Sequence, residues 1–224
     1  MKEDKLNIIN TKTADHNSNS DTSCELCVLG TARKYNIIYA DPPWQYKFPG
    51  TRAEKTDDYQ TMKTKDICEL NIKKIADDDA ILFMWIIWTK LSDALEVIKA
   101  WGFEYKTVAF VWVKTNKNTA TEQFSFLPTD SFDSFWGMGM WTRSNTEVCL
   151  LATKGKPIRK SASVHQLIYS PLQGHSKKPD ETRERIIELM GDLPRVELFA
   201  RQKTDGWDVW GNQVESDIEV PKYA

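Results

Sequence analysis

The chain has 224 residues, with 30 Lys and Arg against 32 Asp and Glu, for a formal net charge of −2. Its 41% hydrophobic content supports a buried core, while a mean hydropathy of −0.51 and apolar runs far short of the roughly 18 residues of a membrane helix exclude a helical membrane protein. Four scattered cysteines (Cys24, Cys27, Cys68 and Cys149) exclude a disulfide framework, and a cytoplasmic setting is expected.

Residues 1–33 are expected to form a flexible polar tail, because residues 1–23 lack periodicity and bury too little apolar area to offset ordering entropy. That stretch also lacks the apolar segment of a secretory leader. Residues 34–224 read as a single domain. Asn36 to Asp41 is an apolar run stopped by Pro42-Pro43, the pattern of a buried strand ending at Asp41. Thr64 to Ala76 predicts a helix capped by Thr64, and Ala80 to Ile87 a second buried strand. Leu91, Ala94, Leu95, Ile98 and Trp101 mark one face of a helix that Gly102 ends. Thr107 to Val113 predicts a third strand.

Residues 115–142 lose periodicity and gather Phe124, Phe126, Phe132, Phe135, Trp136 and Trp141 among polar residues, and a loop of that length is usually functional or disordered. Glu147 to Thr153 predicts a further strand, and residues 154–177 read as basic and irregular. Pro179 opens a helix with Asp180 and Glu181 in its first turn. Ile186, Ile187, Leu189 and Met190 form its buried side, and Gly191 ends it. Arg195 to Ala200 predicts the last strand. Strands alternating with helices argue for an α/β fold with a mostly parallel sheet and helices on both faces.

Charge is uneven along the chain. Residues 143–203 hold 12 basic against 7 acidic side chains, whereas residues 204–224 hold 1 against 5. A near-neutral total therefore accommodates a positive face, although ordinary solvated surface gives the same count. Nine tryptophans exceed what a core of this size requires, and several fall in polar loops.

In open parallel sheets, ligands collect beyond the carboxyl ends of strands, where Asp41-Pro42-Pro43-Trp44 stands. An Asp-Pro-Pro by itself can simply end a strand, with the tryptophan packed in the core. With its apolar lead-in, the tetrapeptide offers a planar amine a carboxylate from Asp41, and nearby carbonyls left unpaired because Pro42 and Pro43 donate no N–H. Trp44 adds a stacking plane. Hydrogen bonds from both N–H groups of an exocyclic amine to Asp41 and a carbonyl would localise its lone pair, and would strengthen as positive charge develops on nitrogen.

These residues resemble the beta-class adenine-N6 methyltransferases with the Asp-Pro-Pro-Trp signature, the family of the eukaryotic messenger-RNA adenosine methylase. Collinear segments carry the resemblance over roughly residues 35–214. They are Tyr39 to Trp44, Tyr59-Gln60-Thr61-Met62, Phe83-Met84-Trp85, Val111 to Asn116, Cys149-Leu150 with Lys154-Gly155, Ser176 to Glu181, Glu197 to Arg201, Trp207, and Gly211-Asn212-Gln213. The resemblance implies a Rossmann-like fold dependent on S-adenosylmethionine, with no metal. It assigns the chemistry to Asp41, Pro42, Pro43 and Trp44. Asp41, Lys178, Glu197, Phe199, Arg201, Asn212 and Gln213 would bind the cofactor, and Tyr59 and Trp85 would stand beside the target base. Two departures stand out: Lys177 replaces the family histidine, and the stretch from Arg201 to Trp207 is shorter.

Trp141, Arg143, Lys156, Arg159 and Lys160 are expected to clamp nucleic acid, with Lys154 beside them, by salt-dependent phosphate contacts. A compact single domain resembles bacterial and phage members of the family, so DNA is favoured over RNA. The alternatives are an RNA adenine-N6 methyltransferase, an enzyme for another amine such as cytosine N4, and a non-catalytic scaffold of the same fold. A dimer or a partner subunit is compatible with the sequence. Cys24-x-x-Cys27 is half of a zinc site, with no second pair at a credible spacing.

Overall fold

A computed structural model describes residues 33–45, 60–116, 137, 141–174 and 177–223. The expected tail, Cys24 and Cys27, Tyr59, and most of the aromatic stretch 115–142 lie outside the described residues. The described residues all fall in one of the two compact units into which the chain divides, Ala32–Ala224.

Seven strands form one sheet: β1 (Tyr35–Ala40), β2 (Ala76–Ile86), β3 (Glu104–Thr115), β4 (Thr146–Lys154), β5 (Leu167–Pro171), β6 (Arg195–Leu198) and β7 (Asp208–Trp210). Their order is β5-β3-β4-β2-β1-β6-β7. Four of the six pairings are parallel, and β4 alone runs against both of its neighbours, β2 and β3. The expectation of a mostly parallel α/β sheet is met.

Alternation along the strands divides the core in two. Ile38, Ala40, Leu82, Met84, Leu150 and Val196 face one side, packed under α1 (Thr64–Cys68) and α2 (Leu91–Ala100) through Ile67, Ala94, Val97, Ile98 and Trp101. Ile37, Tyr39, Phe83, Trp85 and Cys149 face the other, packed under α3 (Glu181–Met190) through Ile186 and Met190. Helices therefore cover both faces. None of the described helices is long and apolar enough to cross a membrane.

Several local expectations are corrected. The helix expected over Thr64 to Ala76 stops at Cys68 and gives way to a 3₁₀ turn, Ile72–Lys74, because the C-terminal segment docks there: Asn71 N donates to Pro221 O. Thr64 is the first helical residue, not its cap, and its hydroxyl hydrogen-bonds Asp93 at 3.0 Å. The buried stripe of α2 is Ala94, Val97 and Ile98, continued by Trp101, leaving Leu91 and Leu95 exposed. Gly102 at φ +82° and Gly191 at φ +86° end α2 and α3, where a left-handed turn favours glycine. Strands β5 and β7 were not expected, since both are short and mixed in polarity.

Candidate active site

The parallel register carries the ends of β1, β2, β3, β5, β6 and β7 to one edge of the sheet. Ala40 pairs with Met84 on one side and Leu198 on the other, and Leu198 with Trp210. Reversed β4 delivers its beginning, Thr146-Glu147, to this same edge.

Asp41 sits there as the residue after β1, its side chain one-quarter exposed. Its Oδ2 accepts a hydrogen bond from Lys178 Nζ at 2.8 Å. The same ammonium lies 3.3 Å from Glu147 Oε2, and Glu147 Oε1 accepts from Lys114 Nζ at 2.6 Å. Two carboxylates and two ammoniums thus form a half-hidden chain, Asp41–Lys178–Glu147–Lys114, with Lys178 5.9 Å from the centre of the Trp85 ring.

Burial raises the Asp41 carboxyl above its ordinary range, and the Lys178 ammonium pulls it back only in part. For Lys178, burial would favour the neutral amine, but Asp41 and Glu147 outweigh it and hold the proton more tightly than usual. Burial pushes the Glu147 carboxyl up as well, yet Lys178 and Lys114 win and hold it below its usual value. Glu147 and Lys114 are functional candidates that sequence reasoning missed. The available signal was the charge of Glu147 opening a strand whose centre is fully buried.

Pro42, Pro43 and Trp44 behave differently from expectation. Pro42 O accepts from Trp44 N at 2.8 Å and Pro43 O from Met62 N at 2.7 Å, so neither carbonyl is unpaired. The chain returns beside the motif, where Trp44 and Met62 form a parallel bridge. Each carbonyl keeps a second lone pair, through which it can still accept from an amine. Trp44 is 6% exposed, and its indole N–H donates to Trp85 O at 3.0 Å; Trp85 is fully buried and donates to Tyr39 Oη at 2.7 Å. Both rings belong to the two core clusters, which corrects the expectation of Trp44 as an open stacking plane; Trp85, expected beside the target base, is buried under the Lys178 ammonium.

At the end of β6, Glu197 faces α3, where Arg183 takes both of its oxygens. Phe199 has φ +62°, an uncommon left-handed conformation for a side chain this large, and packs edge-on against Trp210 at 5.3 Å. Gly211 passes so close to Ala200 that a Cβ would lie 2.0 Å from Ala200 O, which only glycine permits. Exposed Asn212 and Gln213 follow Gly211, and the charge of Arg201, next after Ala200, favours the Asp41 carboxylate.

The expected clamp divides. Trp141, 97% exposed, and exposed Arg143 precede β4 and lie on the Asp41 side. Lys156, Arg159 and Lys160 follow β4, whose last residue, Lys154, pairs with Ala80 at the start of the apolar half of β2. They therefore lie at the opposite edge, roughly 20 Å away at about 3.3 Å per residue. Lys156 N donates to Asp79 Oδ1 and Lys160 N to Leu189 O. Reversal of β4 is the reason, since residues that follow an antiparallel strand leave the sheet at the edge where its neighbours begin. Tyr59 lies outside the described residues, and among those described no group of His, Cys, Asp and Glu side chains converges as a metal set.

Residues 35–213 match the MT-A70 family. The type II methyltransferase M.MunI of Mycoplasma sp is 33% identical over 210 residues, covering 84% of this chain and 82% of that protein. The human N(6)-adenosine-methyltransferase catalytic subunit METTL3 is 27% identical over 194 residues, covering 85% of this chain but 30% of METTL3. The N(6)-adenosine-methyltransferase MT-A70-like protein of Arabidopsis thaliana is 26% identical, covering 86% of this chain and 25% of its own length. With the family match spanning the sheet from β1 through β7 and the edge that holds Asp41, the chain belongs to the MT-A70 family of methyltransferases.

Proposed function

We propose that this chain transfers a methyl group from S-adenosylmethionine to N6 of adenine in DNA. The observation that carries the reading is the half-buried Asp41 carboxylate held 2.8 Å from Lys178 at the carboxyl end of β1.

The donor set suits that cofactor. Its amino-acid end carries a carboxylate and an ammonium, the counterparts of Lys178 and Asp41. The amides of exposed Asn212 and Gln213 suit ribose hydroxyls, and we assign the nucleoside to Phe199 and Arg201 just past β6 and to Glu197, which Arg183 holds in place. When bound, S-adenosylmethionine supplies an electrophilic methyl group.

Asp41 accepts a hydrogen bond from the adenine amine, and Pro42 O is the neighbouring acceptor for its second N–H. Both bonds strengthen as the nitrogen gains positive charge. The raised basicity of Asp41, set by its burial, equips its carboxylate to hold the proton that the methylated nitrogen sheds. In a duplex the amine is inaccessible until the nucleotide is extruded, so opened or single-stranded DNA reaches the site.

A type II methyltransferase of similar length supports DNA over RNA, and the N(6)-adenosine relatives support the choice of atom. Incubation with methyl-labelled cofactor and either unmethylated genomic DNA or RNA, followed by nucleoside mass spectrometry, tests this. N6-methyl-2′-deoxyadenosine is the expected product. Label on ribonucleosides, on cytosine, or on nothing overturns the reading. Asp41→Asn is expected to lower turnover by about 10²–10³-fold with the fold retained.

A further inference from the structure

Burial of Trp44 and Trp85 leaves open which aromatic surface meets nucleic acid. Among the described tryptophans, Trp44, Trp85, Trp101, Trp112 and Trp207 are buried, and Trp210 is half-buried. The two exposed ones, Trp88 at 51% and Trp141 at 97%, both lie on the Asp41 side of the sheet. Trp88 opens the 3₁₀ turn Trp88–Lys90 just past β2. Its ring is fixed: Nε1 donates to Thr146 Oγ1 at 3.0 Å, one residue before Glu147. Trp88 is thus joined to the Asp41–Lys178–Glu147 chain through the first residues of β4.

An exposed indole spends apolar surface on water, and one tethered at its only donor offers a preset flat face that loses little freedom when covered. Ala40 pairs with Met84, which sets Asp41 level with Trp85 and Trp88 three residues farther on. At about 3.3 Å per residue that is roughly 10 Å, the reach of one to three nucleotides beyond a target held at Asp41.

We propose that Trp88 is the stacking platform for an unpaired base flanking the target adenine. The proposal rests on the nucleic-acid methyltransferase reading above and adds a binding residue to it. Stacking tolerates any base, so Trp88 holds the opened strand and leaves sequence choice to other contacts.

The test uses the full chain, methyl-labelled S-adenosylmethionine and unmethylated bacterial genomic DNA, which contains every short recognition sequence. Trp88→Ala is expected to raise KM for DNA roughly five- to a hundredfold, with KM for S-adenosylmethionine within about twofold of the parent. Trp88→Phe, which keeps a flat ring but lacks the Nε1 donor that ties it to Thr146, is expected to recover part of the loss. Thr146→Val, which frees the indole, is expected to give an intermediate rise. An unchanged KM for DNA in Trp88→Ala overturns the proposal, as does a parallel rise in both KM values, or equal loss in the Ala and Phe variants. If the parent enzyme labels no DNA, the functional reading fails first and the platform falls with it.

Discussion

Arg183 holds Glu197 by both carboxylate oxygens, with Nε donating to Oε2 and Nη2 to Oε1, each at 2.8 Å. Both side chains are about nine-tenths buried, and the guanidinium also lies 5.6 Å from the Tyr39 ring centre. Burial raises the Glu197 carboxyl, and Arg183 opposes that rise without cancelling it. The pair joins α3 to the strand that ends at Phe199. Arg183→Ala, which strands a buried carboxylate, is expected to cost about 3–5 kcal/mol in urea unfolding. The double variant Arg183→Leu with Glu197→Leu is expected to recover most of that stability but not turnover, which separates folding from cofactor binding.

Glu147 contributes stability with a defined pH signature. Its folded carboxyl is held below the ordinary value of 4.5 by Lys178 and Lys114, against the upward push of burial. A depressed carboxyl stabilises the fold above its unfolded pKa and stops doing so as pH falls through the folded one. Glu147→Gln is therefore expected to cost roughly 2–3 kcal/mol at neutral pH, because it leaves two ammoniums short of a partner. The difference from the parent is expected to shrink once pH falls below 4.5 and the carboxyl takes a proton. Paired urea titrations across that range provide the measurement, and a difference independent of pH would contradict the assignment.

Lys178 tunes Asp41, apart from the contact with the cofactor's carboxylate proposed for it. Its ammonium favours ionised Asp41, the form that the proposed reaction requires to accept from the amine. Removing the cation leaves burial unopposed by its nearest charge, so the Asp41 pKa rises. In Lys178→Met the acid limb of kcat/KM is expected to move to higher pH, alongside a raised KM for S-adenosylmethionine. A limb that stays in place would assign that ionisation elsewhere.

Neutralising Lys156, Arg159 and Lys160 together is expected to leave DNA affinity and its salt dependence unchanged, because these residues follow β4 to the edge remote from Asp41. Arg143→Ala is expected to reduce the slope of log K against log salt by about one, the signature of one lost phosphate contact. Titrations at several salt concentrations check both. A slope that falls in the triple variant instead would bring the DNA path over the far edge.

Much of this was legible before any coordinates. The unbroken apolar runs of β1 and β2 announced central strands, and Asp41-Pro42-Pro43 announced where the first one ends. What the sequence withheld was direction and partnership. An apolar run such as Val148 to Ala152 reads the same parallel or antiparallel, so reversal of β4 was invisible and carried three basic residues to the wrong edge. The burial of Trp44 and Trp85 depends on residues that reach them across the sheet, which local patterns do not register. Glu197 advertised a need for a partner. Arg183, three residues before buried Ile186 and so on the same face of α3, was the findable answer.

The reversed strand has one more consequence. β3 leaves the sheet at Thr115 and β4 enters it at Thr146, with Val113 paired to Thr146, so the connecting peptide has both feet on the rim that holds Asp41. An insert anchored this way can be lengthened, shortened or exchanged without re-registering a strand or moving Asp41.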